Sequence, residues 1–141
     1  MTLNIFTDGG ARGNPGPAAI GFVIKDTHGK LIHQHGQYIG ATTNNVAEYT
    51  AVIHALEWLT KEIKIGNWKL EIVNFFLDSA LVVNQLNGLF KIKHAPLREL
   101  MLKIKIIEPG LGIPITYTHI PRQQNSQADS LVNQALDAAG F

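Results

Sequence analysis

Cysteine is absent from the 141 residues, which excludes a disulfide framework and a thiolate metal site. No stretch reaches the ~18 apolar residues that a membrane-spanning helix needs. The first twenty residues also lack the basic segment and apolar run of a secretory signal. These absences argue against secreted disulfide scaffolds and membrane proteins. We therefore expect a cytoplasmic protein with no membrane partner.

A strong charge of one sign is also missing, because 12 Lys and Arg face 11 Asp and Glu, for a formal charge of +1. Strongly basic nucleic-acid-binding domains usually carry a clustered excess of Lys and Arg. If four of the 11 acids converge on a metal site, however, the rest of the surface is mildly basic, and polyanion binding stays open. The length and a hydrophobic fraction of 45% suit a single domain over residues 1–141, which we expect to be a monomer.

Turn signals and hydrophobic periodicity divide the chain into nine elements. Three extended segments come first and predict an antiparallel meander, the first of them stopping in a tight turn at Asp8-Gly9-Gly10. Helical spacing and short apolar runs alternate afterwards, and the run 71–77 is typical of a strand buried on both faces. The resulting order βββαβααβα predicts an α/β fold with a mixed sheet covered by helices. The predicted bounds are 3–7, 18–25, 30–39, 46–66, 71–77, 79–86, 96–109, 113–120 and 126–139.

Four acidic residues stand at predicted strand ends or helix starts: Asp8, Glu48, Asp78 and Asp129. Each has a structural explanation of its own, since Asp8 precedes two glycines, Glu48 can complete a capping box with Asn45, and the other two suit helix N-termini. Strand ends and helix starts at one edge of a sheet converge, however, so we expect the four carboxylates to meet. Such a cluster repels itself unless hard cations such as Mg²⁺ neutralise it, which is the arrangement for metal-assisted phosphodiester hydrolysis.

The blocks around these acids resemble the four motifs of type 1 ribonuclease H, the ribonuclease HI family, in order and separation. The likeness runs from about Asn4 to Leu136, and the blocks are Phe6–Pro17, Thr43–Glu48, Leu77–Ser79 and Asn125–Asp129. The resemblance implies a ribonuclease H-like fold whose five-stranded mixed sheet has three antiparallel strands followed by parallel strands.

The resemblance also implies an activity, namely endonucleolytic cleavage of the RNA strand of an RNA–DNA hybrid duplex to 5′-phosphate and 3′-hydroxyl ends. It assigns two Mg²⁺ ions, with Mn²⁺ as an alternative, to Asp8, Glu48, Asp78 and Asp129. The residues disfavour two rival classes. A non-catalytic hybrid-binding module would be indicated by a lost carboxylate, and none is lost. Integrase-like enzymes usually lack Thr-Asn-Asn before the glutamate, whereas that tripeptide is present here.

Four further residues match substrate contacts of the family. Asn14, Asn44 and Asn45 match positions that contact the minor groove, chiefly on the DNA strand, and Thr43 matches a DNA-phosphate contact. Turn and cap chemistry is the alternative for the asparagines.

Two departures from the best-known bacterial pattern affect the substrate side. Residues 87–96 are short and carry only Lys91 and Lys93, which makes this a compact form without the extra basic helix, or handle, and predicts weaker substrate binding. Phe90 could pack on a DNA sugar or be an ordinary core or surface aromatic. The loop before Asp129 has Arg122 where many members have a mobile histidine.

Arg122 is therefore a candidate for helping the cleaved strand depart, with simple anchoring of its loop as the alternative. His119 falls within a strand pattern, and we expect it to be structural. His33 and His35 share a strand face, but two imidazoles without a third ligand make a poor metal site.

Overall fold

A computed structural model describes residues 1–66 and 68–141. Its elements follow the predicted order. The strands are β1 (Thr2–Ala11), β2 (Gly16–Lys25), β3 (Leu31–Thr42), β4 (Ile72–Leu77) and β5 (Ile115–His119). The helices are α1 (Asn44–Ile65), α2 (Ala80–Leu86), α3 (Ala95–Leu111) and α4 (Ser126–Ala138). A 3₁₀ turn at Arg122–Asn125 leads into α4.

The five strands form one mixed sheet in the order β3-β2-β1-β4-β5. β1 pairs antiparallel with β2, and β2 with β3, whereas β4 runs parallel to both β1 and β5. The predicted fold class is therefore confirmed. Since β1 and β4 are parallel neighbours, their carboxyl ends lie at the same edge of the sheet.

Helices cover both faces of the sheet. The main core packs one face, including Leu3 and Ile5 of β1, against α1, with α3 packed on α1. On the opposite face α4 lies chiefly on β2 and β3, where a smaller cluster joins Ala19, Val132 and Leu136. None of the helices in the described ranges combines the length and hydropathy of a membrane span.

Two strand predictions were wrong in detail. β1 does not turn at Asp8 but continues to Ala11, because pairing with β2 holds its last residues extended as far as the Ala11–Ala18 pair. β4 is not buried on both faces, since it alternates buried residues with half-buried ones such as Asn74 and Phe76. The second face of β4 is less covered because α4 packs mainly over β2 and β3.

The predicted stop of α3 at Pro109 was also wrong. The helix continues to Leu111 and ends at Gly112, which takes the left-handed conformation with φ 67°. A proline removes one backbone donor, and here it does so only in the final turn, so the helix ends at the glycine instead. At its other end α1 begins two residues earlier than predicted, because Thr43 caps it by accepting a hydrogen bond from the Val46 N–H.

Candidate active site

Parallel pairing places two of the four acids side by side. The last parallel pair between β1 and β4 is Phe6 with Phe76, so Asp8 and Asp78 both lie two residues beyond it, at the carboxyl edge of the sheet. Adjacent parallel strands are about 4.8 Å apart, which accounts for the approach of these two carboxylates.

Glu48 joins them because Gly9 lets α1 approach β1. A Cβ on Gly9 would overlap the backbone carbonyl of Ala47 and would lie only 2.5 Å from the backbone nitrogen of Glu48. The sequence suggested a turn-forming role for this glycine, whereas the structure uses its missing side chain for close packing. Any other residue at position 9 would push α1 away from the sheet and would carry Glu48 with it.

Asp129 reaches the cluster from the opposite face in a similar way. Gly21 is the antiparallel partner of Asp8, and a Cβ there would lie 2.6 Å from the Ala128 carbonyl oxygen and 2.9 Å from the Leu131 Cβ. The first turn of α4 can therefore rest directly on β2. This contact brings the Asp129 carboxyl group within hydrogen-bonding reach of Asp8.

The four predicted acids line one pocket of about 270 Å³. Asp8, Glu48 and Asp78 each offer a carboxylate oxygen, and these oxygens all lie within 4.8 Å of one another. Asp129 stands beside this trio, where its charge and its side-chain contact with Asp8 help to raise the pKa of Asp8. The structure therefore brings together all four residues on which the prediction depended.

Electrostatics shows how strained this cluster is without a cation. Burial, followed by the charges of Asp78, Asp129 and Glu48, raises the pKa of Asp8 to about 8. Burial also raises the pKa of Glu48 to about 7, although a hydrogen bond from the Ser79 hydroxyl works in the opposite direction. One Glu48 oxygen, Oε2, is buried without a hydrogen-bond partner. Oxygen ligands, excess negative charge and an unsatisfied acceptor fit a divalent metal ion such as Mg²⁺.

Two supporting residues were not predicted as part of the site. Asn125 is almost fully buried, and its Nδ2 donates to the Thr7 carbonyl at 2.9 Å and to Asp78 Oδ2 at 3.1 Å. Ser79 caps α2 by accepting from the Val82 N–H and also hydrogen-bonds Glu48. Asn125 stands at the N-cap position of α4, yet it makes no capping hydrogen bond.

Arg122 is the first residue of the 3₁₀ turn and lines the same pocket. Burial raises the pKa of Glu48, and the positive charge of Arg122 opposes that rise. The guanidinium therefore faces the acid cluster. His119 does end β5 as the pattern suggested, but its side chain is exposed. The expected structural role for His119 is therefore wrong, because an exposed ring contributes little to packing.

The four predicted substrate contacts lie where the β1–β2 loop meets α1. The Asn14 Oδ1 accepts from the Asn44 N–H at 3.1 Å, and the Asn44 Oδ1 accepts from the Ala11 N–H at 2.8 Å. Thr43 is the cap of α1, so the alternative in which Asn45 and Glu48 form a capping box is wrong. Within the described ranges, the half-buried Asn45 side chain makes no hydrogen bond. Contact of these residues with a hybrid stays a prediction.

The segment that replaces the handle has no helix between Leu86 and Ala95. Lys91 and Lys93 are exposed there, and the Phe90 side chain is 52% exposed. The core alternative for Phe90 is therefore wrong. The prediction of a compact form without the basic handle is confirmed.

The mixed sheet and the carboxylate cluster at its edge define a ribonuclease H-like nuclease fold. Residues 6–135 match the family model described as "Reverse transcriptase-like". LC11-RNase H1, solved in complex with an RNA/DNA hybrid, is 46% identical and superimposes with a TM-score of 0.90 over 97% of this chain and 98% of that one. The RNase H1 of Halobacterium salinarum is 36% identical, with a TM-score of 0.86 over 98% and 99% of the two chains.

A bifunctional protein of Mycobacterium tuberculosis is 39% identical over 99% of this chain. The chain belongs to the type 1 ribonuclease H family. It spans 36% of the length of the mycobacterial relative and 65% of the full ribonuclease HI of Halobacterium salinarum.

Proposed function

We propose that this chain is an endoribonuclease that hydrolyses the RNA strand of RNA–DNA hybrids by a two-metal-ion mechanism. The observation that carries the proposal is the convergence of Asp8, Glu48 and Asp78 within 4.8 Å, with Asp129 beside them. The similarity to LC11-RNase H1, whose structure contains an RNA/DNA hybrid, supports the same substrate class here. The products would carry 5′-phosphate and 3′-hydroxyl ends.

The carboxylates would hold two Mg²⁺ ions, which when bound supply an activated water and stabilise the leaving oxygen. The protein's own contribution is to hold its ligands in place before the ions arrive. Asn125 fixes the Asp78 carboxylate against β1, and Ser79 fixes Glu48. Gly9 sets the distance between α1 and β1. A side-chain nucleophile is not required by this chemistry.

Selectivity for RNA requires recognition of the 2′-hydroxyl beside the scissile phosphate. We propose that the Glu48 carboxylate and the backbone after Asp8 share this role, since both border the pocket. Asn14, Asn44 and Asn45 would contact the minor groove, chiefly on the DNA strand. Asn44 donates its N–H to Asn14 and accepts from the Ala11 N–H, and these two hydrogen bonds hold this surface in place, which lowers the entropy lost on binding.

Arg122 would act after cleavage. Its guanidinium offers a planar fork of N–H donors that suits a phosphate, and its position beside Glu48 allows it to pair with a phosphate at the cluster. We propose that this pairing draws the cleaved strand away from the acids. Unlike a histidine in the same loop, an arginine would do so without titrating near neutral pH.

The test is a cleavage assay with the purified chain on end-labelled RNA–DNA hybrid, double-stranded RNA and double-stranded DNA, in Mg²⁺, in Mn²⁺ and in excess chelator. We expect metal-dependent cleavage of the RNA strand of the hybrid alone. The products should carry 5′-phosphate and 3′-hydroxyl ends, so that a ligase can join them without further treatment. Hybrid cleavage in chelator would overturn the metal mechanism. Equal cleavage of double-stranded DNA would overturn the substrate assignment. Gel filtration and cell fractionation test the accompanying proposal of a cytoplasmic monomer.

A further inference from the structure

Three of the six histidines line a second pocket, of about 290 Å³, between β3 and α1. They are His33, His35 and His54, and Glu57 and Trp58 lie beside them. His54 and Trp58 are six and ten residues beyond Glu48 on α1, which is about 9–15 Å along the helix axis. The proposed nuclease chemistry uses none of these residues.

β3 and α1 each contribute imidazole side chains to the lining of this pocket. His33 and His35 are two positions apart on β3, so their side chains lie on the same face of the strand. Both imidazoles lie against the Phe22 ring, at 5.9 and 5.6 Å between centroids. His33 also stacks on Trp58 at 4.6 Å and 12°. His54 precedes Trp58 by four residues, so it lies one helical turn away on the same side of α1.

The third imidazole changes the interpretation of this region. The sequence showed only His33 and His35, which together make a poor site, because His54 is 19 positions further along the chain than His35. Three imidazoles complete the nitrogen donor set that Zn²⁺, Ni²⁺ and Cu²⁺ prefer. Glu57, three residues after His54, adds a carboxylate at the same pocket.

Protonation favours a metal ion at this pocket, whereas the neighbouring lysine charges oppose one. Burial lowers the pKa of both His33 and His54, so their rings are neutral near pH 7 and their lone pairs are available to a metal. Two lysines oppose a cation, since Lys61 lines the pocket and Lys103 lies 4.0 Å from Glu57. A metal bound here would therefore be held less tightly than in a structural zinc site.

We propose that His33, His35 and His54 form a binding site for a late first-row divalent metal ion, with Glu57 as a fourth ligand. In the described part of the chain, only the active-site carboxylates already converge within 4.8 Å. The histidine site must therefore form by rotation of side chains. His35 must also release its present partner, because its ring nitrogen Nε2 hydrogen-bonds Gln37 Oε1 at 2.9 Å.

Tryptophan fluorescence gives a direct readout, because Ni²⁺ quenches an indole at short range and Trp58 stacks on His33. The wild-type chain is titrated with NiCl₂ at pH 7.5 in the presence of saturating Mg²⁺, which under the proposed function would occupy the carboxylates. We expect saturable quenching that EDTA reverses, and protection by ZnCl₂ added first. His35→Ala and His54→Ala should each weaken binding at least tenfold. Gln37→Ala should strengthen it by freeing His35.

His94→Ala and His119→Ala are the matched controls, since both rings are exposed and lie outside this pocket. They should bind Ni²⁺ as the wild type does. Unchanged binding in His35→Ala and His54→Ala would overturn the proposal, and so would loss of quenching in Asp8→Asn, which would place the ion at the carboxylates. Circular dichroism establishes that each variant is folded, and His54→Gln replaces His54→Ala if that variant is not. Hybrid cleavage by His35→Ala in Mg²⁺ should match the wild type, so this test can fail independently of the nuclease proposal.

Discussion

The carboxylate pocket, lined by the four acids, and the histidine pocket, lined by His33, His35 and His54, both combine residues from a strand with residues from α1. They differ in how firmly those residues are held. At the carboxylates, Gly9 and Gly21 allow backbone contacts that fix α1 and α4, and Asn125 ties Asp78 to β1. At the histidines, His33 stacks on Trp58, and His35 hydrogen-bonds Gln37, which is not one of the proposed ligands. The first site is preorganised, whereas the second must be completed by its ligand.

Electrostatics separates the two pockets further. Burial, followed by the charges of the neighbouring acids, raises the pKa of Asp8 to about 8. At the other pocket, burial lowers the pKa of His33 and His54, which favours their neutral rings. A cluster that costs folding energy persists only when the fold around it is rigid, and such strain is typical of functional sites. The carboxylate pocket is therefore built for a cation even before one binds.

The largest effect should come from removing one carboxylate charge. Asp8→Asn or Asp78→Asn should lower the cleavage rate in Mg²⁺ by at least about 10²–10³-fold, because a hard cation loses an anionic ligand. Glu99→Gln, an exposed acid on α3, is the matched control and should cleave normally. The assay is single-turnover cleavage of a labelled hybrid. Wild-type turnover by either aspartate variant would remove the distinction between the two pockets.

The same substitution should stabilise the metal-free protein. Asp8 has a raised pKa in the folded state, so between about pH 4 and 8 the folded chain holds a proton that the unfolded chain has lost. Stability in EDTA should therefore fall as pH rises through this window. Asp8→Asn should flatten that decline and raise Tm at pH 8 by several degrees, on the order of 3–10 °C. Thermal melts from pH 5 to 9, with and without Mg²⁺, measure it. A decline as steep in the variant as in the wild type would show that Asp8 is not strained.

A third change tests whether preorganisation matters for activity. Asn125→Ala should lower kcat by about 10–100-fold, because Asp78 loses the donor that orients it. It should also cost about 1–3 kcal/mol in the free energy of unfolding. Asn87→Ala is the matched control, since Asn87 Nδ2 also donates to a backbone carbonyl, that of Tyr117, at 3.0 Å. Kinetics and urea unfolding of both variants separate the two effects. Equal activity loss in the two would make Asn125 merely structural.

A smaller effect is expected at the exposed edge of the carboxylate pocket. Arg122→Ala should lower kcat more than it raises KM, with Arg122→Lys in between, if charge beside Glu48 assists departure of the cleaved strand. His119→Ala should change neither kcat nor Tm appreciably, because its side chain is exposed. Steady-state kinetics and melts of the three variants check this. A large loss of turnover in His119→Ala, with none in Arg122→Ala, would reverse the assignment.

The order of elements and the meeting of the four acids could be predicted because both follow from local signals. Asp8 and Asp78 stand where apolar runs end, and Glu48 and Asp129 stand where helical spacing begins. Parallel strands bring such ends to one edge whatever the details of packing. Local patterns were therefore enough for the outline of the carboxylate pocket.

The rest depended on contacts between distant parts of the chain. Asn125 acts through Thr7 and Asp78, which are 118 and 47 positions away, and no local pattern reports such partners. Gly9 looked like a turn former because its real neighbour, the backbone of α1, lies almost forty positions further on. The contribution of His54 to the histidine pocket was missed for the same reason.

The smallest effect should come from changing Asn45 or Asn14, the asparagines proposed to contact the hybrid. The structure distinguishes these two residues by their hydrogen bonds, which the sequence alone could not do. Asn45→Ala should weaken hybrid binding by about 1–3 kcal/mol without changing Tm, because in the described ranges its side chain makes no hydrogen bond. Asn14→Ala should weaken binding similarly and also lower Tm, because its Oδ1 accepts from the Asn44 N–H at the start of α1. Fluorescence anisotropy with a labelled hybrid in Ca²⁺, followed by thermal melts, measures both quantities. If both variants bind and cleave as the wild type does, the groove contacts lie elsewhere. If only Asn14→Ala is affected, its effect on binding comes through the loop that it holds.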